Sequence, residues 1–222
     1  MGAKAKVSVL ITVYNREDYV REAISSVLDS TLEDFELIVV DDCSTDGSPE
    51  VAREFERRDG RVRAFVNEEN LGDYPNRNRA ASHARGKYLK YLDSDDLIYP
   101  HSLEIMVEAM ERFPEAGLGI CSRVLNEEKP FPISTTSREA YRSFYFGRNV
   151  LGGGPSGAII RREAFERVGG FSGRQYVGDT ELWLKLAARR PVVKLQPALV
   201  WWREHPGQQI ASERENYDVF RL

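Results

Sequence analysis

Two short segments of this 222-residue sequence contain adjacent or nearly adjacent aspartates. Asp41 and Asp42 follow one apolar run, and Asp93, Asp95 and Asp96 follow another. Crowded carboxylates repel each other and raise each other's pKa, and a bound cation removes that repulsion. Hard oxygen ligands favour Mg²⁺ or Mn²⁺, and these ions usually also bind substrate phosphate. The residues therefore predict a divalent metal that bridges protein carboxylates to a phosphorylated ligand.

No glycine-rich phosphate loop accompanies these carboxylates. Residues 13–23 contain no G-x-G-x-x-G pattern, and the sequence has no G-x-x-x-x-G-K-[ST] pattern. Because the first is typical of NAD enzymes and the second of P-loop NTPases, both classes are disfavoured. Cys43 and Cys121 form no C-x-x-C pair, which argues against a zinc site or a disulfide framework and fits a reducing compartment.

Strands that alternate with helices are predicted to position the acidic segments. Short β-rich apolar runs indicate strands at 7–13, 36–40, 62–66, 87–92, 117–121, 158–160, 192–195 and 199–202. Helical spacing indicates helices after an Asn15 N-cap, after a Ser48 N-cap with Pro49 in first position, at 75–84, from Pro100 and at 179–189. We expect an α/β fold with a Rossmann-like, mostly parallel central sheet, helices on both faces, and a smaller irregular half that includes a loop at 126–137.

Polar residues fall where the predicted strands end. Thr12, Tyr14 and Asn15 end the first strand, and the two acidic segments end the second and the fourth. Ligands of open α/β sheets bind outside the carboxyl ends of the strands, which lie along one edge. The sequence therefore predicts one ligand site that all three strand ends share.

Composition narrows the classes of partner. Acidic residues number 35 and basic residues 31, so the net charge of −4 argues against nucleic acid or an anionic membrane as the main partner. A hydrophobic fraction of 41% is enough for one folded domain over 1–222. The longest apolar runs fall far short of the ~20 residues that span a bilayer, and the first residues do not resemble a signal peptide. We expect a cytoplasmic protein, with peripheral membrane association left open.

Six motifs in a fixed order resemble those of GT-A-fold inverting glycosyltransferases of family two. They are T-V-Y-N at 12–15, V-V-D-D-C-S-T-D at 39–46, N-L-G at 70–72 with R-N at 77–78, L-D-S-D-D at 92–96, V-G-G-F at 168–171 and G-D-T-E-L-W at 178–183. The resemblance extends over roughly residues 7–208. This sequence departs from the family pattern at Gly178, where many members have Glu, and at 73–76, where small residues are usual.

The resemblance implies a role for each matching residue. Substrate binding falls to the residues that would contact the base or the rest of the donor: Thr12, Tyr14, Asn15, Asp42, Arg77 and Asp93. Asp93 and Asp95 form the D-x-D element, in which Asp95 is the more direct metal ligand and Asp93 lies nearer the ribose. His205 matches a histidine near the diphosphate and is a further candidate metal ligand, and Asp179 matches the catalytic base.

The function implied by the resemblance is transfer of a sugar from a nucleotide-diphosphate donor to a hydroxyl group, with inversion and with Mg²⁺ or Mn²⁺. A UDP-sugar is the favoured donor, and the acceptor is a glycan, a lipid-linked group or another hydroxyl, as in polysaccharide biosynthesis. Residues 1–121 would bind the donor and residues 122–222 the acceptor. Two alternatives remain: a sugar-1-phosphate nucleotidyltransferase, which would need a Gly-rich, Arg-containing loop after the first strand, and a non-catalytic nucleotide-sugar-binding protein.

Four residues also have a purely structural interpretation. Asp179 can be a helix N-cap, since Asp is among the preferred capping residues. His205 can be an ordinary surface histidine. Trp201 and Trp202 are more often strand core than a platform for sugar, because aromatic side chains are generally buried.

Overall fold

The computed structural model describes residues 5–122, 129–147, 149–205 and 208. Within these residues the strands are β1 (Val7–Val13), β2 (Phe35–Asp41), β3 (Val62–Val66), β4 (Tyr88–Asp93), β5 (Leu97–Ile98), β6 (Leu118–Cys121), β7 (Ile133–Thr135), β8 (Ala158–Arg161), β9 (Val192–Leu195) and β10 (Val200–Trp201). The helices are α1 (Glu17–Leu28), α2 (Ser48–Arg58), α3 (Asp73–Ser82), α4 (Ser102–Arg112), α5 (Ser137–Phe146), α6 (Arg162–Val168) and α7 (Gly178–Ala187).

Eight of the described strands form one sheet in the order β3-β2-β1-β4-β8-β6-β9-β7. Strands β3, β2, β1 and β4 are mutually parallel, and β6 is parallel to β9. Strand β8 runs antiparallel to both of its neighbours, and β7 runs antiparallel to β9. Strands β5 and β10 form a separate antiparallel pair. This arrangement confirms the α/β class and the mostly parallel sheet.

Helices cover both faces of the sheet, because its central strands are apolar on both faces. One core cluster joins sheet residues such as Ile11 to Val20 of α1 and Met106 of α4. The other joins Leu10 of the same strand to Phe165 of α6 and Trp183 of α7. Burial on both faces is typical of parallel strands and explains why their sequences read as continuous apolar runs.

Residues 129–146 contain more regular structure than the sequence predicted. Where the sequence predicted a loop at 126–137, the structure has strand β7 and the first residue of α5. Residues 126–128 lie outside the described residues. Helix α5 begins with a capping box, in which Thr136 Oγ1 accepts the Glu139 N–H and the Glu139 side chain accepts the Thr136 N–H. The T-x-x-E pattern was the available signal for this helix.

Two predicted N-caps are wrong, because both side chains bind a neighbouring loop. Asn15 has a φ of 52°, and its Oδ1 accepts the Thr45 N–H at 2.8 Å. Helix α1 therefore begins only at Glu17. Ser48 is the first residue of α2 itself, and its Oγ accepts the Arg16 N–H at 2.9 Å. Both side chains join the loop after β1 to the loop after β2.

In the described parts of the chain, no helix is long and apolar enough to cross a lipid bilayer.

Candidate active site

The register of the sheet brings the three predicted strand ends together. Strand β1 lies between β2 and β4, with Val13 opposite Asp41 and Thr12 opposite Asp93. Tyr14, just beyond β1, is 48% exposed at this edge. The edge therefore collects polar residues from three neighbouring strands, as the sequence predicted.

Asp41 and Asp42 end β2 and bind protein groups. Asp41 accepts the backbone N–H and the hydroxyl of Ser44 at 2.8 and 2.6 Å. Burial raises the pKa of Asp41 and outweighs these two bonds. Asp42 Oδ1 accepts the side-chain amide of Asn67 at 2.7 Å, and its two oxygens accept the N–H groups of Leu71 and Gly72 at 2.9 Å. Both carboxylates thus hold loops of the edge in place.

Arg77 on α3 links two other carboxylates of the edge. Its Nε donates to Asp73 at 2.7 Å and its Nη2 donates to Asp93 at 2.8 Å. Its third nitrogen, Nη1, is buried and has no hydrogen-bond partner among the described residues. Burial would lower the pKa of Arg77, but Asp73 and Asp93 raise it, so the guanidinium stays charged. One buried donor therefore stays available to a ligand.

Asp93 is held by groups that sequence reasoning did not identify. Burial acts to raise the pKa of Asp93, but Arg77 outweighs it and keeps the pKa of the carboxyl below its ordinary value. The Asp93 N–H donates to Ser156 Oγ at 2.9 Å. The buried Lys90 ammonium donates to the Ser156 carbonyl, and burial lowers the pKa of Lys90 to about 8. Nothing in the local sequence around Ser156 signals this contact, because it spans 63 residues of chain.

His205 lies beside Asp95. Its Nε2 is 3.0 Å from Asp95 Oδ2, and its side chain is only 8% exposed, so the surface-histidine interpretation is wrong. The Arg16 guanidinium is 3.7 Å from the same oxygen. Arg203 holds the residues that follow β10 against the loop after β4. Its Nε donates to the Asp95 carbonyl at 2.9 Å, and its backbone N–H donates to the Asp96 carboxylate at 3.1 Å.

Asp96 is the buried member of the second acidic segment. It is nearly inaccessible to solvent, and its carboxylate accepts the Arg203 N–H. Burial, together with the nearby charge of Asp93, raises the pKa of Asp96 to about 7. Through this hydrogen bond, Asp96 holds Arg203, which follows β10, close to the carboxyl end of β4.

Asp179 lies in the first turn of α7, whose N-cap position belongs to Val177. Its Oδ1 accepts the N–H of Thr180 at 2.6 Å. Burial raises the pKa of Asp179, while the Thr180 N–H and Arg77 act in the opposite direction. Asp73 and Asp93 also raise this pKa. The carboxylate therefore belongs to the same electrostatic group as Arg77 and is not a simple N-cap.

Trp201 and Trp202 are more exposed than strand-core residues. Their exposed fractions are 43% and 41%, so the core interpretation is wrong for both. The Arg203 guanidinium lies over the Trp201 ring at 4.9 Å, and both tryptophans line an open depression of about 500 Å³ together with Tyr19 and His205. An aromatic surface thus adjoins Asp95.

The oxygen and nitrogen donors at this edge are of the kind that a divalent metal needs. Among the described residues, no group of three or more His, Cys, Asp or Glu side chains is arranged to hold a metal ion. The side chains of Asp95 and His205 contact each other at 3.0 Å, and Asp93, the last residue of β4, lies two residues before Asp95. Because Mg²⁺ is usually held by one or two carboxylates together with substrate phosphates, this donor set fits an ion shared with a diphosphate.

Comparison with known proteins agrees with the fold and the motifs. The family "Glycosyl transferase family 2" matches residues 8–169. The Bacillus subtilis protein TuaG, whose name assigns it to glycosyl transfer in teichuronic acid biosynthesis, is 41% identical over 107 residues, 48% of this chain and 42% of TuaG. An uncharacterized Sinorhizobium fredii protein, y4gI, is 31% identical across 94% of this chain, which covers 23% of y4gI. The chain thus spans less than half the length of either relative.

Solved structures share the fold at low sequence identity. Staphylococcus aureus TarS in complex with UDP-GlcNAc has a TM-score of 0.78 and 20% identity, covering 96% of this chain and 63% of that one. The mannosyltransferase PcManGT from Pyrobaculum calidifontis, in complex with GDP-Man and Mn²⁺, has a TM-score of 0.67 and 20% identity, covering 89% and 58%. These structures place the sheet described above in the GT-A fold. By its family match, the chain belongs to glycosyl transferase family 2.

Proposed function

We propose that this protein transfers a sugar from a nucleotide-diphosphate donor to an acceptor hydroxyl, with inversion at the anomeric carbon. The observation that carries the proposal is the linked group of Arg77, Asp93 and Asp179 at the carboxyl edge of the sheet. In this group, the buried Arg77 guanidinium has one nitrogen without a hydrogen-bond partner among the described residues, and burial raises the pKa of the Asp179 carboxyl.

The donor binds across the ends of β1, β2 and β4. Thr12, Tyr14, Asn15, Asp42, Arg77 and Asp93 are proposed to hold its nucleoside, with UDP as the favoured nucleotide. The exposed Tyr14 ring is free to stack on a base, and the unpartnered Nη1 of Arg77 can donate to it. The TarS complexes with UDP-GlcNAc and UDP support this donor class, and the GDP-Man complex of PcManGT extends it to a second base.

Asp95, His205 and Asp93 are proposed to hold Mg²⁺ or Mn²⁺. When bound, the ion neutralises the charge that develops on the leaving diphosphate. Arg16, 3.7 Å from Asp95, adds a positive charge from the loop after β1. The Mn²⁺ in the PcManGT complex supports a divalent ion at this kind of site.

Asp179 is proposed as the general base. It accepts the proton of the acceptor hydroxyl while that oxygen attacks the anomeric carbon from the face opposite the diphosphate. Its raised pKa moves it closer to the operating pH, where a general base works best and contributes ~10²–10⁴-fold. Helix α7 belongs to the half at 122–222, which is proposed to bind the acceptor, a glycan, a lipid-linked group or another hydroxyl.

A donor screen tests the proposal. Melting temperature and donor hydrolysis are measured with a panel of UDP-, GDP-, TDP- and CMP-sugars, with Mn²⁺ or Mg²⁺. We expect a UDP-sugar to raise the melting temperature and to be hydrolysed slowly. Stabilisation without hydrolysis or transfer would support a non-catalytic nucleotide-sugar-binding protein, and no response to any donor would contradict the proposal.

A further inference from the structure

We propose that Lys90 is a positioning residue, which holds the end of β4 in place through Ser156 and thereby sets the position of Asp93. The inference rests on the proposed roles of Asp93 and Asp95 in binding the donor and its metal ion. Lys90 belongs to none of the six motifs and takes no part in the proposed mechanism, although it lies three residues before Asp93 in β4.

The pairing of β4 with β8 stops short of the proposed donor site. The two strands pair only as far as Lys90 opposite Ile159, whereas β4 stays paired with β1 as far as Asp93. Before β8 the chain forms a single 3₁₀ turn, Pro155–Gly157. Among the described residues, 91–93 therefore have no strand partner on this side. Buried backbone N–H and C=O groups there need partners of another kind.

Two buried side chains supply these partners. The Lys90 ammonium donates to the carbonyl oxygens of Tyr91 and Ser156. The Ser156 hydroxyl accepts the Asp93 N–H at 2.9 Å. Lys90 is fully buried and Ser156 is 1% exposed, so water does not compete for these hydrogen bonds. The contacts thus lead from Lys90 through Ser156 to the backbone of Asp93.

The charge of Lys90 strengthens its hold on Ser156. Among the described residues, the ammonium pairs with no carboxylate and donates to carbonyl oxygens instead. Burial lowers the pKa of Lys90 to about 8, so the ammonium is still mostly charged at pH 7. A charged ammonium has three donors, and its hydrogen bonds are stronger than those of neutral donors. Lys90 can therefore hold two carbonyl groups of different segments together.

The residues around Ser156 are also held from the second half of the chain. Trp183 of α7 donates its Nε1–H to the Gly153 carbonyl at 2.8 Å. The Trp202 ring lies beside Gly157, 3.4 Å from the position that a Cβ would occupy. The hydrogen bond from Lys90 therefore ties β4 to a turn that other contacts already fix, and this allows Lys90 to position Asp93.

Lys90→Met and Ser156→Ala in the full chain break the path at its two ends, with Lys87→Met as the matched control. Methionine is similar in length to lysine but has no donor, and Ser156→Ala removes the acceptor of the Asp93 N–H. Lys87 lies directly before β4, but its ammonium pairs with Glu111 at 2.7 Å and its side chain is half exposed. Amide hydrogen exchange at Asp93, measured by NMR without ligand, should be about ten-fold faster in both test variants and unchanged in Lys87→Met.

Calorimetry with UDP and Mn²⁺ gives the second readout, at a temperature where each variant is fully folded. UDP should bind about ten-fold more weakly to Lys90→Met and to Ser156→Ala than to wild type or Lys87→Met. Because both variants break one path, the double variant should also lose about ten-fold, not the roughly hundred-fold expected for independent effects. A merely structural role would lower the melting temperature and leave the UDP affinity of the folded protein unchanged.

The outcomes separate this inference from the proposed function. Unchanged exchange at Asp93 in Lys90→Met, unchanged UDP affinity, or a roughly hundred-fold loss in the double variant would overturn the role of Lys90. If Lys90→Met does not fold, unchanged exchange or UDP affinity in Ser156→Ala would overturn it. If the wild-type protein binds no UDP, the proposed function fails, but the exchange measurement still decides whether Lys90 holds Asp93.

Discussion

The end of β2 and the start of α7 both present aspartates to the same edge, but the protein uses them differently. Asp42 accepts three N–H groups from the protein, and Asp41 accepts two hydrogen bonds from Ser44. Among the described residues, Asp179 accepts side-chain hydrogen bonds only from its neighbour Thr180, through Oδ1. Both oxygens of Asp41 and of Asp42 accept hydrogen bonds from the chain, whereas the bonds to Asp179 among the described residues reach Oδ1 alone, so its Oδ2 keeps acceptor capacity for a substrate.

Among the substitutions that test this comparison, Asp179→Asn should have the largest effect on sugar transfer. An amide cannot accept the acceptor's proton, so transfer should fall by ~10²–10⁴-fold, the usual contribution of a general base. The fold and UDP affinity should persist, because Asn can still accept the Thr180 N–H. Steady-state transfer, calorimetry with UDP and melting temperature measure the three quantities.

Glu181→Gln is the control for Asp179→Asn. Glu181 lies in the same helical turn, but its carboxylate pairs with Lys185 at 2.7 Å and bonds the Ser172 hydroxyl. Its removal should leave transfer near the wild-type rate. Near-normal transfer by Asp179→Asn together with loss in Glu181→Gln would move the base to Glu181.

Asp42→Ala should have an intermediate effect. It removes one acceptor from the N–H groups of Leu71 and of Gly72, which are partly exposed, so each lost hydrogen bond should cost about 0.5–1.5 kcal/mol. Because these residues lead into α3, UDP affinity measured by calorimetry should fall, while Mn²⁺ affinity stays. Asn70→Ala is the control, since Asn70 Oδ1 also accepts the Gly72 N–H, at 3.1 Å, but Asn70 is exposed. Equal UDP affinity in wild type and Asp42→Ala would remove Asp42 from the site.

Asp41→Asn should have the smallest effect and one that depends on pH. Burial raises the folded-state pKa of Asp41, so its stabilising contribution is complete below its unfolded pKa of about 3.9 and is lost as pH rises through the raised value. In urea unfolding at several pH values, the free energy of unfolding of Asp41→Asn should therefore increase relative to that of wild type as pH rises above about 4. A stability difference that does not vary with pH would contradict the raised pKa.

Asp59→Asn should show the opposite dependence of stability on pH. The Arg61 guanidinium lowers the pKa of Asp59, so the contribution of Asp59 is complete above about pH 3.9 and is lost as pH falls through the lowered value. The free energy of unfolding of Asp59→Asn should therefore increase relative to that of wild type only at acidic pH. The same trend in both variants would show that the pH dependence does not come from these two groups.

The first half of the fold could be predicted because its signals are local. Strands β1 and β3 have the predicted bounds, and β2 and β4 differ from the predicted bounds by one residue at each end. In the second half, β9 also has the predicted bounds, but the order of the strands could not be predicted, because it depends on contacts between distant residues. Strand β8 inserts between β4 and β6 in antiparallel orientation, and no local pattern encodes that neighbour.

The candidate site divides in the same way. The motif residues could be predicted to share one edge, because strand ends and register follow from the alternation of strands and helices. The groups that hold them could not, since Asn67, Ser156 and Arg203 act through contacts that the chain forms only when folded. The hydrogen bond from Lys90 to Ser156 likewise required the packing of β4 against the turn before β8.

Calorimetry of UDP binding with Mn²⁺ and with chelator tests the central proposal most directly. In the proposal, Asp95 and His205, whose side chains lie 3.0 Å apart, would hold the divalent ion that neutralises the charge of the diphosphate. UDP should bind far more tightly with Mn²⁺, and Asp95→Asn should abolish that difference, whereas the exposed Asp29→Asn should preserve it. Equal UDP affinity with Mn²⁺ and with chelator in the wild-type protein would contradict the metal-bridged donor site.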